Sequence, residues 1–277
     1  MPCSMRKLGI HVGCYEDVGF GKLKKTTGKH ASMIKQAHEM YENGELSEQD
    51  AASLETYIRK SFEQYPDKTL VDLDSMNPGT SKDLRLLQIM VATDCNLKCK
   101  YCYADNGSYG GERRIMTPEE ALSYVEPFIE RHSNIGTVFF FGGEPTLAPE
   151  TIEAVCCFFE AAHEEGRLET RPVFTMVTNA TLIDENLAAV LAKHKVRVTV
   201  SIDGPPEIND RVRQTKMDEA TFSLIAEGIK NLADAGNPPV MLEGTYTALH
   251  ERLGYSRNDI TDYLRQAFKV EIAQLDS

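Results

Sequence analysis

LRLLQIMVAT, residues 84–93, runs through Asp94 into CNLKCKYC, residues 95–102. The first stretch is apolar and rich in large aliphatic side chains, which predicts a strand. The second carries three thiols on one polar loop, at the spacing C-x3-C-x2-C. Beyond it, Thr117-Pro118-Glu119-Glu120 predicts a helix start, with Thr117 as N-cap, Pro118 at the first position and Glu120 closing a capping box. Ala121, Val125, Phe128 and Ile129 then recur at helical spacing. TVFFF, residues 137–141, predicts a strand covered on both faces, with a helix opening near Pro149.

The alternation continues. A strand over 172–178 and a helix over 184–194 precede a strand over 197–202. A helix through Phe222, Ile225, Ile229 and Leu232 stops at Gly236, and a fifth strand covers 239–246. Ser256 to Asp259 resembles a second capping box, opening a helix through Ile260, Tyr263, Leu264 and Phe268. Residues 270–275 give a sixth strand. Strands separated by helices pair in parallel through crossovers. The expected fold is therefore α/β, a partial (β/α)6 TIM-type barrel with parallel strands, two short of a complete barrel. Residues 84–277 form this domain, which ends on a strand with no covering helix and so reads as truncated at its C-terminal end.

Residues 1–83 have a different grain. They predict a small, mainly helical region, with helices over 31–41 and 47–65 and one candidate strand over 8–14. The basic loop from Gly21 to Lys29 lacks the spacing of a phosphate-binding loop and reads as a solvated segment. The chain has 277 residues and a formal net charge of −12, so its field repels phosphate backbones and anionic lipid, against nucleic acid as a partner. No apolar run approaches the ~18–20 residues a membrane span needs, and no secretory cleavage pattern opens the chain. The expected setting is cytoplasmic, away from membranes.

Seven cysteines is an odd number, against a disulfide framework. Cys95, Cys99 and Cys102 can hold three irons of one cluster and leave the fourth without a protein ligand. Zinc is the competing reading, although a structural zinc site wants four closed ligands and no fourth Cys or His lies nearby. Unmetallated thiols are the third. Cys156 and Cys157 sit among Val155, Phe158 and Phe159 and read as buried structural thiols. Cys3 and Cys14 have no partner pattern, and the seven histidines show no ligand or triad order.

Further motifs fall past successive strands. FGGEP, residues 141–145, has two glycines that let backbone approach a ligand closely. TNAT spans 178–181. In the strand RVTVSIDGP, residues 197–205, alternation puts Val198, Val200 and Ile202 on one face and Thr199, Ser201 and Asp203 on the other. A hydroxyl–carboxylate row inside a barrel implies a cavity holding something polar. Met241, Glu243 and Thr245 share a face in the same way.

The three-cysteine loop, with Tyr101 just before the third thiol, resembles the signature of the radical S-adenosylmethionine (radical SAM) superfamily. The resemblance spans roughly residues 84–275. It implies a [4Fe-4S] cluster on Cys95, Cys99 and Cys102, with S-adenosyl-L-methionine on the open iron. Gly142, Gly143, Glu144 and Pro145 would grip the methionine amino group, and Tyr101 would lie near the adenine. Asn179 belongs to the family's TNG-type segment. Ser201 and Asp203 would contact the ribose or carboxylate, and Arg213 would pair with the methionine carboxylate. It also implies an oxidoreductase-type enzyme that makes a 5′-deoxyadenosyl radical and takes hydrogen from a substrate. Residues 102–116 with FFGGEP and SIDGP resemble ribosomal-peptide maturases, closest to those that install thioether crosslinks in six-cysteine precursors. Anaerobic sulfatase maturases, which form formylglycine, are the near alternative; Phe141 before GGEP favours the first group. The implied partners are a peptide or protein substrate and an electron donor such as flavodoxin or ferredoxin. Residues 1–83 are the size of a leader-peptide module. No cysteine follows Cys157, so the SPASM or Twitch auxiliary domain of such maturases has no counterpart within these residues, and a truncated, non-catalytic cluster-binding protein is a further alternative.

Overall fold

The computed structural model describes residues 83–271 and 273–276. The expected N-terminal helices and strand lie outside them. Six strands form one sheet in sequential order, every neighbouring pair parallel: β1 (Asp83–Ala92), β2 (Asn134–Gly142), β3 (Val173–Thr178), β4 (Arg197–Ser201), β5 (Met241–Thr245) and β6 (Ala273–Asp276). Helices fill the crossovers: α1 (Pro118–Arg131), α2 (Pro149–Glu164), α3 (Glu185–Lys193), α4 (Pro206–Val212), α5 (Phe222–Asp234), α6 (Ala248–Arg252) and α7 (Arg257–Phe268). This is the expected partial barrel. No helix of the described residues is long and apolar enough to cross a membrane.

The helix starts follow the local chemistry. Thr117 Oγ1 accepts the Glu120 N–H while the Glu120 carboxylate accepts the Thr117 N–H, and Ser256 and Asp259 exchange the same pair of bonds. Asp184 caps α3 by accepting the Leu187 N–H at 2.8 Å.

The core lies between the helices and one face of the sheet. Leu87, Ile89 and Val91 of β1, Val138 and Phe140 of β2, Phe174 and Met176 of β3, and Val198 and Val200 of β4 are all buried there. They pack with Ala121, Val125 and Ile129 of α1, Ile152, Val155 and Phe159 of α2, and Ile225, Ile229 and Leu232 of α5. The other face differs: Gln88, Phe139, Phe141, Thr175, Val177 and Glu243 are half-buried. β2 starts three residues before its expected position, because Ile135 joins the core and Asn134 pairs with Asp83. α4 and α6 are additional short helices, each below the length at which hydrophobic periodicity is readable.

Candidate functional site

At the C-terminal ends of β1 to β5, where parallel barrels gather functional groups, the chain brings the predicted residues together. The cysteine loop is pinned from two sides. Lys98 N–H donates to the Gln214 carbonyl and Lys100 N–H to the Val212 carbonyl, so the end of α4 and the residues just past it zip alongside the loop. Asp94 Oδ1 accepts the Cys95 N–H at 2.8 Å and pairs with Lys216 and Arg113. Burial pushes the Asp94 carboxyl up, but the bonds from Lys216, Arg113 and Cys95 together outweigh it and hold it below its usual range.

Cys95, Cys99 and Cys102 are free, half-buried thiols. Burial, the Glu144 carboxylate and the other two thiols push Cys95 up to about 12, and burial also raises Cys99. Two N–H donors nevertheless aim at the Cys95 sulfur, Leu97 N at 3.4 Å and Asn179 Nδ2 at 3.8 Å. Sulfur that accepts hydrogen bonds in a desolvated place suits a metal-bound thiolate, since a coordinating cation deprotonates a thiol outright. The donor set, three thiols from one loop, fits an iron–sulfur cluster with one open position.

The glycines of FGGEP have a reason the sequence reading missed. Gly142 has φ +142°, and a Cβ there would lie 2.1 Å from the Ala92 carbonyl oxygen; at Gly143 it would lie 2.3 Å from that of Asp94. Gly143 N–H donates to the Ala92 carbonyl and Glu144 N–H to the Asp94 carbonyl, both at 2.9 Å. The glycines therefore let this turn lie directly against the exit of β1, where the cysteine loop begins. Gly142→Ala is expected to cost about 3 kcal/mol in a urea melt, from backbone strain and the carbonyl clash together.

That turn delivers Glu144, which is 1% exposed. Its Oε1 accepts from Thr146 N (3.0 Å), Thr146 Oγ1 (2.6 Å) and Thr178 Oγ1 (2.6 Å), and its Oε2 accepts from Asn179 N at 2.7 Å. Burial pushes its pKa up against those four bonds. Each carboxylate oxygen carries two lone pairs; Oε1 takes three of the four bonds and Oε2 only one, so Oε2 has a lone pair to spare. Asn179 is fixed in turn: Oδ1 accepts from Thr181 N and Oγ1, and Nδ2 donates to Asn96 Oδ1 at 2.9 Å.

The opposite side is positive. Arg213 Nε donates to Asp203 Oδ2 at 3.0 Å, and its guanidinium lies 5.6 Å from the Tyr101 ring centroid. Arg213 Nη1 and Nη2 have no hydrogen-bond partner among the described residues. No fully buried side-chain polar atom among the described residues is unpaired, so both keep some exposure although the residue is buried. Tyr101 Oη donates to Asp203 Oδ2 at 2.5 Å, and burial raises its pKa. Asp203 is fully buried, and its Oδ1 accepts the Thr245 N–H at 2.8 Å. Its carboxylate thus organises Tyr101, Arg213 and β5, a role that spacing alone does not reveal. Ser201 Oγ donates to Glu243 Oε1 at 3.3 Å across the β4–β5 register. Cys156 is buried as expected, but Cys157 is exposed: the α2 face that packs on the sheet carries Ile152, Val155, Cys156 and Phe159, which turns Cys157 outward.

An α/β partial barrel that gathers three thiols, a buried carboxylate and a guanidinium at the ends of its strands defines a cluster-binding class of protein. Residues 89–260 match the model of the radical SAM superfamily, and the chain belongs to that superfamily, whose members use a [4Fe-4S] cluster and S-adenosylmethionine. It is 29% identical over 210 residues to the radical SAM cyclopropyl synthase TigE of Paramaledivibacter caminithermalis, covering 71% of this chain and 42% of that protein. It is 34% identical over 149 residues to the cysteine-type anaerobic sulfatase-maturating enzyme of Clostridium perfringens, covering 51% and 39%. Among solved structures, native anSMEcpe with bound AdoMet and Cp18Cys peptide superposes with a TM-score of 0.57 at 26% identity, covering 70% of this chain and 50% of that one. The chain spans about two-fifths of the length of these two curated relatives.

Proposed function

We propose that this chain is the radical-generating unit of a peptide maturase, acting on a cysteine-bearing peptide to form a thioether crosslink. When bound, the cluster and S-adenosylmethionine supply an electron and a 5′-deoxyadenosyl radical that takes hydrogen from carbon. Cys95, Cys99 and Cys102 would hold the cluster. The observation that carries the reading is the polarity across the cysteine loop, with Glu144 held by the same Asn179 that donates to Cys95 Sγ and Arg213 lying over the Tyr101 ring, two residues past Cys99. Those poles match the two charges of an α-amino acid: an ammonium group on Glu144 Oε2 and a carboxylate on Arg213 Nη1 and Nη2. Gly142, Gly143 and Pro145 place Glu144. Asn179 braces it, and Tyr101 and Asp203 hold the guanidinium in line. Ser201, two residues before Asp203 and bonded to Glu243 Oε1, suits a ribose hydroxyl. Preorganised charges of this kind bind without reorganising and keep water from the reacting centre.

The test is anaerobic reconstitution of the full chain with iron and sulfide, followed by dithionite and S-adenosylmethionine. 5′-Deoxyadenosine is the expected product, and its absence from a fully loaded cluster overturns the proposal. Likeness to a sulfatase-maturating enzyme favours a second reading, oxidation of a cysteine side chain to formylglycine. Mass spectrometry separates the two: a crosslinked peptide loses two hydrogens and keeps its sulfur, whereas formylglycine formation from cysteine loses the sulfur.

A further inference from the structure

On the outer, helical layer a second cluster of ligand-type side chains faces solvent. Glu153 and Cys157 lie four residues apart on α2, with Glu160 three further on, so all three share one helical face. His194, the C-cap of α3, reaches across to them and is 1% exposed. One ligand atom each from Glu153, Cys157 and His194 fall within 4.8 Å of one another.

His194 is held as a ligand would be. Its Nδ1 contacts Glu160 Oε2 at 2.9 Å; a carboxylate only accepts, so Nδ1 carries the proton. Arg171 anchors both partners, donating to Glu160 Oε1 and, at 2.7 Å, to the His194 carbonyl. The lone pair on Nε2 is thereby aimed outward, 3.8 Å from Cys157 Sγ and 3.9 Å from Glu153 Oε1. Three electron-pair donors converge there; Lys193 Nζ donates to the same Glu153 Oε1 at 2.9 Å and, being on an exposed side chain, swings into solvent when a cation takes that oxygen. A carboxylate on the second ring nitrogen is the arrangement that orients metal-bound histidines.

We propose that Cys157 Sγ, His194 Nε2 and Glu153 form a zinc site, distinct from the three-thiol loop, with its fourth position open to water. Thiolate, imidazole and carboxylate together are a zinc donor set, and tetrahedral zinc puts such atoms about 3.3–3.6 Å apart. The observed separations close to that range by small side-chain shifts on the outer face of α2 and at the end of α3. Binding releases the Cys157 thiol proton to solvent and leaves the oxidation state unchanged.

The test uses the full chain with its iron–sulfur loop loaded anaerobically, stripped of other metals and titrated with Zn2+ against a chromophoric chelator. Wild type should take up one zinc per chain, with a single sulfur in its zinc-edge X-ray absorption. Cys157→Ser, at an exposed position, should weaken binding at least tenfold, and Glu160→Gln about tenfold or more by freeing the histidine ring. Iron and sulfide contents should stay unchanged in both. A zinc shell without sulfur, or equal affinity in wild type and Cys157→Ser, overturns the proposal.

Discussion

Cys99→Ala should leave a folded protein that holds less than a tenth of the wild-type iron and sulfide, with 5′-deoxyadenosine formation down at least a thousandfold. The loop does not depend on the thiol for its shape. Leu97 bridges Thr215, Lys98 and Lys100 donate to carbonyls at the end of α4 and just past it, and Cys102 N–H donates to the backbone carbonyl of residue 99, which alanine retains. The melting midpoint should therefore move by no more than a few degrees, as for a substitution that leaves the backbone contacts in place. What is lost is one of the three proposed ligands. Two thiols leave two irons open, and such a cluster is hydrolysed or never assembles. Elemental iron and acid-labile sulfide, with circular dichroism for the fold, read the two halves separately. A variant with a full complement of iron and sulfide would remove Cys99 from the ligand set.

The parts of this molecule legible from sequence are those written in neighbouring residues. Thr117 with Glu120 and Ser256 with Asp259 set their helices from within four positions. The alternation in residues 197–203 puts Val198 and Val200 in the core, while Ser201 meets Glu243 on the neighbouring strand. What spacing did not show is written across long separations. The reason for Gly142 is the carbonyl of Ala92, fifty residues earlier. Thr178 joins Glu144 from thirty-four residues away, and Tyr101 meets Asp203 from 102 away. Cys157 looked apolar by its neighbours, yet the phase of α2 turns it out toward His194. Sequence pointed to these residues but not to their partners, and partners set charge, orientation and strain.

Asp203→Ala should destabilise the fold by about 4 kcal/mol, well beyond what a ligand contact alone would suggest. The fully buried carboxylate joins four separate segments: Tyr101 of the cysteine loop, Arg213 after α4, Thr245 at the end of β5 and, through its backbone carbonyl, His250 of α6 at 2.8 Å. Alanine keeps the last of these and removes the other three. It strands a guanidinium 8% exposed, a tyrosine hydroxyl and a backbone N–H together. Removing one partner of a buried pair costs about 3–5 kcal/mol because the remaining charge is left uncompensated, not because the pair itself is that favourable. The double variant Asp203→Ala with Arg213→Met should therefore be more stable than the single one, since it takes away the orphaned charge. Urea melts of wild type, both single variants and the double variant give the coupling directly. If the carboxylate served only a bound cofactor, Asp203→Ala would melt within about 0.5 kcal/mol of wild type, as substitutions away from structural contacts do. The same variant frees Arg213 and Tyr101 from their positions, so S-adenosylmethionine affinity should fall with stability while Arg213→Met alone, with Asp203 intact, lowers affinity by removing the cation itself.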